Sequence, residues 1–450
     1  MTNRLLSIRQ MAPILLIPAV ALLLNLWMGY LRGTAAYAED GSLRGTGASE
    51  LLPAPLALNP DSLSRYPFLE LAHIGISDST QSLKPFFIAL HHRSVGTLSA
   101  SDVVPVLHIG DSHLQPDILS STLRTHLQNH FGNAGRGLIV PLKLAKTNQP
   151  SDYAITSQNV WKSARMIRST ERLQAGVGGN VIYTLNTRVA LDLSLKQTRQ
   201  NEPFRQIGVF SSANVKSWKG IAGTDTFLFR PSGLSRHYFR LSMPDTTTQI
   251  RLTAEKVPGR DSLFVYGMVL ETGRPGILYH NSGSNGARMV DFTRSPLFFD
   301  QAAALDPKLV IVSLGTNEAA STSFTSAQFY DYLNAFYLSL RRTCPSVPIL
   351  LTTPLACGKR YVVNRKAQYR TNPNMEKARD VILAFAAEHN LAVWDLFSVA
   401  GPNTMENWYT HKLLSADRMH STYDGYLLQG NLLYHALIME YNRYVDTRLE

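Results

Sequence analysis

The chain has 450 residues, of which 44% are hydrophobic and 17% are charged. This composition excludes a disordered protein, and the length is enough for two or three domains around at least one full hydrophobic core. Lysine and arginine outnumber aspartate and glutamate by 44 to 33, and the resulting formal charge of +11 favours acidic partners. We find no dense basic run or aromatic-interleaved basic stretch, so we expect no nucleic-acid partner.

The N-terminus is typical of an exported protein. Arg4 and Arg9 precede an uncharged, mostly apolar run, residues 11–31, that is long enough to span a bilayer. The small residues around Ala38 offer a signal-peptidase site. We therefore expect residues 1–38 to be either a signal peptide or a membrane anchor. Both place the rest of the chain in the periplasm or cell envelope, and an anchor would hold it at the inner membrane.

The cysteine content argues against structural cross-links. The sequence contains Cys344 and Cys357. A strand predicted over residues 347–353 would hold them beyond disulfide distance, so we expect two free thiols. No Cys/His cluster has metal-ligand spacing, and we expect neither a metal site nor a cofactor.

Two parts of the chain alternate apolar strands with amphipathic helices. In residues 66–151, a predicted helix over 82–92 precedes a strand over 103–109 and a helix over 118–130. In residues 269–450, apolar stretches such as "KLVIVSLGTNE" and "VPILLTTPL" alternate with helical ones up to a terminal helix. This pattern predicts one α/β domain with a parallel sheet covered by helices on both faces.

The segment between these two parts has a different pattern. Residues 152–268 contain short alternating stretches such as "NVIYTLNTRVALDLSL" and "TQIRLTAEKV", with Gly, Pro, Asp or Asn nearby. They predict an antiparallel β-sandwich domain inserted into the α/β domain, and an extra sheet on the same core is the alternative. Ahead of the folded body, residues 39–65 lack periodicity and are predicted to be a flexible tether.

Candidate chemistry begins where the first predicted strand ends, at Gly-Asp-Ser-His, residues 110–113. Reactive groups gather at the carboxyl ends of the strands in an open parallel sheet. Ser112 is therefore a candidate nucleophile, held at a strand-to-helix turn with its N–H near the helix N-terminus. The same position also suits an ordinary helix N-cap.

A serine nucleophile needs a base and a group that orients that base. Asp417 and His420 lie three residues apart just ahead of the last predicted helix, so one loop could present the imidazole to Ser112 and the carboxylate to its other nitrogen. His113 is the competing base. Because successive residues at a turn diverge, we expect His113 to support the site or to contact substrate.

Two further stretches offer donors for the negative charge on an attacked carbonyl oxygen. "SLGTNEA" provides the side-chain amide of Asn317, with Gly315 allowing a close approach of the turn. "HNSGSNGARMV" provides the backbone N–H of Gly286. In the alternative reading, each glycine only makes a turn and Asn317 caps a helix.

Four stretches of the sequence resemble, in order, the four blocks of the SGNH (GDSL-type) hydrolase family. They are GDSH at 110–113, N-x-G-x-x-G-A at 281–287, G-x-N-E at 315–318 and D-x-x-H at 417–420. The resemblance implies the SGNH-hydrolase, flavodoxin-like parallel sheet and a serine esterase.

The resemblance also implies a role for each candidate residue. Ser112 is then the nucleophile and the first oxyanion-hole donor, Gly286 and Asn317 complete the oxyanion hole, and Asp417 with His420 completes a catalytic triad. The supporting residues expected beside them are Asp111, His113 and Gly315.

More narrowly, residues 110–141 and 274–288 resemble exported SGNH esterases that remove O-acetyl groups from peptidoglycan. That group has a carbohydrate-binding-like β-sandwich between its first and second blocks. The resemblance implies an envelope esterase that acts on an acetylated cell-wall polysaccharide, with O-acetylated muramic acid as first choice. The alternatives are a polysaccharide O-acetyltransferase that uses the same acetyl-serine intermediate, and a non-catalytic wall-binding protein.

Overall fold

The computed structural model describes residues 63, 65–94, 102–198, 201–259 and 261–447. The predicted export segment 1–38, and the predicted tether 39–65 apart from residues 63 and 65, lie outside the described residues. Within the described part of the chain, no helix is both long enough and apolar enough to cross a bilayer.

The described residues form α-helices and β-strands that we number in chain order. The helices are α1 Lys84–Ser94, α2 Ile118–Phe131, α3 Met289–Thr293, α4 Pro296–Ala303, α5 Thr316–Ala319, α6 Ser326–Thr343, α7 Asn374–Glu388, α8 Leu396–Val399, α9 Thr404–Thr410 and α10 Tyr423–Asp446. The strands are β1 Ile76–Ser77, β2 Val103–Gly110, β3 Asn133–Gly135, β4 Gly137–Ile139, β5 Tyr153–Thr156, β6 Lys162–Arg165, β7 Asn180–Thr184, β8 Arg188–Leu195, β9 Phe204–Ser211, β10 Val215–Ala222, β11 Asp225–Leu228, β12 Arg230–Pro231, β13 Tyr238–Thr247, β14 Gln249–Lys256, β15 Leu263–Glu271, β16 Gly276–Gly283, β17 Leu309–Ser313, β18 Ile349–Thr352, β19 Gly358–Val363, β20 Lys366–Thr371 and β21 Ala392–Trp394.

The central sheet has the strand order β1-β21-β18-β17-β2-β16-β3. Strand β2 lies between β16 and β17 and is parallel to both, whereas the edge strand β1 is antiparallel to β21. Alternate side chains of β2 enter two different cores: Leu107 and Ile109 pack with α3, α4, α6 and α7, and Val104 and Val106 pack with α1, α2 and α10. The predicted parallel sheet with helices on both faces is therefore confirmed, and burial on both faces explains the continuous apolar sequence of β2.

An antiparallel β-sandwich is inserted between α2 and β16, as predicted. One sheet has the order β11-β10-β14-β8-β5, and the other has the order β12-β13-β9-β15-β7-β6 with β4 paired to β15. Apolar residues from both sheets, among them Leu191, Trp218 and Val265, form a shared core. The indole N–H of Trp218 donates a hydrogen bond to Ser211 Oγ at 2.9 Å, so this buried polar group is satisfied.

A buried ion cluster connects the start of the sandwich to the turn before α2. Arg136 donates to Asp117 at 2.5 Å and to Asp152 at 2.5 Å, and Arg124 donates to Asp117 at 3.1 Å. The Arg136 and Asp117 side chains are only 2% and 4% exposed. Burial alone would raise the pKa of the Asp117 carboxyl, but Arg124 and Arg136 hold it well below its usual value. Asp117 is therefore ionised and depends on these two partners.

We expect Arg136→Leu to destabilise the fold by about 3–5 kcal/mol, because it leaves a buried carboxylate without one of its partners. Urea unfolding measured at neutral pH would give this value. The control is Arg251→Leu, which breaks an exposed ion pair with Asp192 and should shift the unfolding midpoint little. Equal shifts for the two variants would show that the Arg136 cluster is not a stability element.

Candidate active site

Strand β2 ends at the same level as its two neighbours. Gly110 pairs with Gly283 at the end of β16 and with Ser313 at the end of β17. A Cβ on Gly110 would lie 2.4 Å from the side chain of Leu114 in the following turn. A larger residue at this position would therefore displace Leu114, whereas glycine lets the turn fold back closely over the strand, and Ser112 follows at the carboxyl edge of the sheet.

The turn that carries Ser112 is longer than the sequence indicates. Two backbone N–H groups donate to the carbonyl of Asp111 in a single helical turn, and α2 begins only at Ile118. Between them, Asp117 has a left-handed φ of 63°, which redirects the chain. The regular helix therefore begins after this turn and not at Ser112 itself. The helical turn itself positions Ser112.

The structure brings Ser112, His420 and Asp417 into one hydrogen-bonded chain. Ser112 Oγ lies 2.9 Å from His420 Nε2, although the two residues are 308 positions apart. His420 Nδ1 lies 2.7 Å from Asp417 Oδ2. This is the order of groups in which a carboxylate orients an imidazole and the imidazole accepts a proton from a hydroxyl.

The Asp417 carboxylate sets the orientation of His420. Asp417 Oδ1 accepts the backbone N–H groups of Met419 and His420, at 2.9 and 3.0 Å. Burial raises the pKa of this carboxyl, but the hydrogen bonds from the imidazole and from the two backbone groups outweigh burial and lower it. An ionised Asp417 accepts the Nδ1–H of His420, which leaves Nε2 free to accept the proton of Ser112.

His113 lies beside this chain but does not bond to Ser112. Its Nδ1 is 3.2 Å from the hydroxyl of Tyr426, and its ring centroid is 5.2 Å from that of His420. Burial lowers the pKa of His113, so the ring is neutral near pH 7. His420, not His113, is therefore the imidazole that faces Ser112.

Asn317 ties two turns of the site together. Its side-chain amide donates to Asp111 Oδ2 and to the carbonyl of Ala287, both at 3.0 Å. Both of its N–H bonds are thus already used. Among the described residues, the backbone N–H groups of Ser112 and Gly286 donate to no protein acceptor. These two N–H groups are therefore free to donate to a bound group.

The remaining predicted residues shape the turns around these donors. Gly286 has a φ of 77° and Gly315 a φ of 123°, both in a region that favours glycine. Asp111 is buried and also accepts the backbone N–H of His113 at 2.9 Å. Burial raises the pKa of Asp111, and the neighbouring His113 lowers it in part. All the predicted site residues thus lie around one edge of the sheet.

Residues 260–428 match the model of the GDSL-like lipase/acylhydrolase family. The matched span contains Gly286, Asn317, Asp417 and His420, and the structure adds Ser112 from an earlier part of the chain. Within the α/β part, these residues are therefore GDSL-like. The predicted family and the predicted esterase class are therefore confirmed.

A solved structure shares the fold of this chain, and two others match it in part. A peptidoglycan O-acetylesterase superposes with a TM-score of 0.66 at 19% identity, covering 82% of this chain and 99% of that chain. A GDSL-like lipase from Parabacteroides merdae matches 36% of this chain and 72% of its own, with a TM-score of 0.28 and 17% identity. A salicylyl-acyltransferase from a tetracycline biosynthetic pathway matches 67% and 97%, with a TM-score of 0.30 and 10% identity. No curated protein sequence matches the chain.

Two residues of the hydrolase site were not identified from the sequence. Gln115 is buried and accepts the backbone N–H of Asn285 at 2.8 Å, while its amide donates to Asn148 Oδ1 at 2.7 Å. It thereby holds the turn that presents Gly286. Ile167 comes from the inserted sandwich, and its methyl group would lie 3.8 Å from a Cβ on Gly286. Gln115 lies within residues 110–141, which carry the resemblance, whereas the approach of Ile167 depends on the tertiary fold.

Glu318 is a buried carboxyl that follows Asn317 directly in the sequence. Its Oε1 accepts the backbone N–H of Met289 at 2.7 Å, while its Oε2 has no hydrogen-bond partner in the described part of the chain. Burial raises its pKa from 4.5 to about 7. The folded protein therefore keeps this proton in a pH range where the unfolded chain has lost it.

This difference predicts a pH-dependent stability. As pH rises from 4.5 to about 7, the unfolded chain gains stability by ionising Glu318, so this group removes roughly 3 kcal/mol of unfolding free energy. Glu318→Gln keeps the acceptor for Met289 but cannot ionise. We therefore expect the unfolding free energy of Glu318→Gln minus that of wild type to increase by roughly 3 kcal/mol between mildly acidic and mildly alkaline pH. Chemical unfolding with Glu376→Gln as the exposed control checks this, and parallel pH profiles for wild type and Glu318→Gln would contradict it.

Proposed function

We propose that this hydrolase removes O-acetyl groups from a cell-envelope polysaccharide, with O-acetylated peptidoglycan as the substrate. The observation that carries the proposal is the hydrogen-bonded chain from Ser112 through His420 to Asp417. The choice of substrate is supported by the fold shared with a peptidoglycan O-acetylesterase. The net charge of +11 suits an acidic wall polymer.

The first half-reaction transfers the acetyl group to the protein. Ser112 Oγ attacks the acetyl carbonyl carbon while its proton passes to His420 Nε2. The bond between the acetyl carbon and the sugar oxygen then breaks, and the sugar oxygen takes the proton from His420. Asp417 keeps its hydrogen bond to Nδ1 throughout and stabilises the imidazolium. The products are a free sugar hydroxyl and an acetyl-Ser112 ester.

The second half-reaction uses water in place of the sugar. Water gives a proton to His420 Nε2 and attacks the acetyl carbon, the bond to Ser112 Oγ breaks, and Oγ recovers the proton as acetate leaves. In both steps the backbone N–H groups of Ser112 and Gly286 face the developing oxyanion. The Asn317 amide holds Asp111 and Ala287 in place. It donates to the oxyanion only if one of its N–H groups is shared between two acceptors.

We also propose that the protein works in the periplasm or cell envelope and that the inserted sandwich contacts polysaccharide. Export is supported by the apolar run at residues 11–31 and its flanking arginines. Contact between the sandwich and substrate is supported by Ile167, which reaches the turn of Gly286. A bound glycan chain would therefore meet the sandwich where it leaves the catalytic edge.

The test is acetate release from O-acetylated peptidoglycan, measured beside p-nitrophenyl acetate hydrolysis and with chitooligosaccharide acceptors present. We expect acetate from the O-acetylated polymer and none from the same polymer after chemical de-O-acetylation. Hydrolysis of p-nitrophenyl acetate without release from the polymer would contradict the substrate. Acetyl transfer to chitooligosaccharide that exceeds acetate release would identify an acetyltransferase instead.

A further inference from the structure

Strands β19 and β20 form a separate hairpin, residues Gly358–Thr371, which pairs with no other strand of the described chain. The hairpin is attached at its base, where Gly358 N–H donates to the carbonyl of Arg418 at 2.8 Å and Asn372 N–H donates to the carbonyl of Cys357 at 2.9 Å. A lone two-stranded hairpin is marginally stable in water. The hairpin therefore adds no strand to the central sheet or to the sandwich.

The base of the hairpin lies against the catalytic loop. Arg418, whose carbonyl accepts the Gly358 N–H, stands between Asp417 and His420 in the sequence. The guanidinium of Arg418 also lies 5.6 Å from the ring centroid of Tyr369, on β20. Both strands of the hairpin thus contact the loop that carries Asp417 and His420, and a ligand held at the base of the hairpin would lie beside that loop.

The hairpin is strongly basic. Its 14 residues include five cations and no acidic residue. No ion pair of the described chain satisfies these cations, although Arg370 lies over the ring of Tyr361 at 5.7 Å. The five cations are Lys359, Arg360, Arg365, Lys366 and Arg370. Their mutual repulsion is relieved when an anion binds between them.

The hairpin also exposes apolar surface near its tip. Tyr361, Val362 and Val363 are 38%, 57% and 40% exposed. Charged residues on an exposed edge, lysine especially, prevent aggregation, but that role does not account for the exposed apolar side chains beside them. A surface whose charged groups are all positive, and which also exposes aromatic and aliphatic groups, is suited to an acidic ligand that has apolar faces. A glycan strand with carboxylate-bearing side chains has both properties.

We propose that the hairpin Gly358–Thr371 is an arm that binds the acidic wall polysaccharide beside the triad and holds its acetylated sugar at Ser112. The proposal rests on the proposed function for the identity of the polymer. An anionic membrane surface is the competing ligand, but the contacts of both strands with the catalytic loop favour the substrate. The arm would add affinity for polymer that a small neutral ester cannot use.

The experiment compares three full-length proteins in the Ser112→Ala background, so that bound polymer is not turned over. They are the parent, a hairpin variant Arg360→Gln/Arg365→Gln/Lys366→Gln, and a control variant Arg65→Gln/Lys84→Gln/Arg342→Gln that loses the same charge from exposed positions outside the hairpin and the sandwich. Co-sedimentation with O-acetylated peptidoglycan should be roughly tenfold weaker for the hairpin variant and less dependent on salt. The control should bind as the parent does, and thermal unfolding should show that both variants are folded.

Several outcomes would overturn the proposal. Equal binding of the hairpin variant and the parent would show that the arm does not contact the polymer, even if the active enzyme releases acetate. Loss of binding to phosphatidylglycerol vesicles with unchanged polymer binding would make the hairpin a membrane element. A third outcome is that polymer binding depends on the hairpin, but the protein with Ser112 intact releases no acetate. That result would refute the proposed function and support the arm.

Discussion

Ser112→Ala should lower kcat for p-nitrophenyl acetate by at least about 10³-fold, because the acetyl group then has no oxygen to which it can be transferred. The structure supports this large effect because the Ser112 hydroxyl is hydrogen-bonded to His420 Nε2. Removal of one oxygen from a partly exposed turn should leave the fold intact. Steady-state kinetics with acetate or p-nitrophenol detection measures the loss directly.

The matched control is Ser121→Ala on α2, whose hydroxyl donates to the carbonyl of Ile118. We expect this variant to retain activity within about twofold, since its hydroxyl bonds only to the backbone of its own helix. Thermal unfolding of both variants should resemble that of wild type. A folded Ser112→Ala protein with undiminished turnover would exclude Ser112 as the nucleophile.

His420→Ala should cause a loss of similar size, because the serine then has no base at 2.9 Å to accept its proton. Groups that act as a unit have non-additive effects, so the double variant Ser112→Ala/His420→Ala should be no slower than either single variant. The control is His411→Ala, an exposed histidine whose Nδ1 bonds to the carbonyl of Asn407. Losses of Ser112 and His420 that multiply would contradict a shared mechanism, and so would rapid turnover by His420→Ala.

The parallel sheet was predictable because its strands are buried on both faces and are therefore apolar throughout. The strand predicted over residues 103–109 is β2, and the helix predicted over 118–130 is α2. The helix predicted over 82–92 begins two residues later, at Lys84, since helix ends depend on local hydrogen bonds more than on apolar spacing. The β-sandwich was predictable from the alternation of buried and exposed residues in strands such as β8.

The meeting of Ser112 with His420 could be anticipated only because the four blocks resemble a family. Composition and periodicity contain no information about a contact between residues 308 positions apart. The occupied amide of Asn317 could not be predicted, because its acceptors Asp111 and Ala287 are distant in sequence. Oxyanion donation was therefore assigned to a side chain whose hydrogens already hold two turns together.

The basic surface of the hairpin could not be predicted from the sequence, for a physical reason. Residues 358–371 do interleave lysine and arginine with tyrosine, contrary to the expectation that no such stretch is present. The cations are divided between two strands and a turn, so they form a single surface only after β19 pairs with β20. Its position beside the catalytic loop likewise depends on the tertiary contact of Gly358 with Arg418.

The central claim is that Ser112, activated by His420, becomes acylated. The most direct measurement is the intact mass and peptide map of the full-length protein after reaction with diethyl p-nitrophenyl phosphate, which phosphorylates activated serines. We predict one diethylphosphoryl group on the peptide that contains Ser112, none on Ser112→Ala, and much slower labelling of His420→Ala. Labelling at another residue, or labelling of Ser112→Ala at the wild-type rate, would contradict the account.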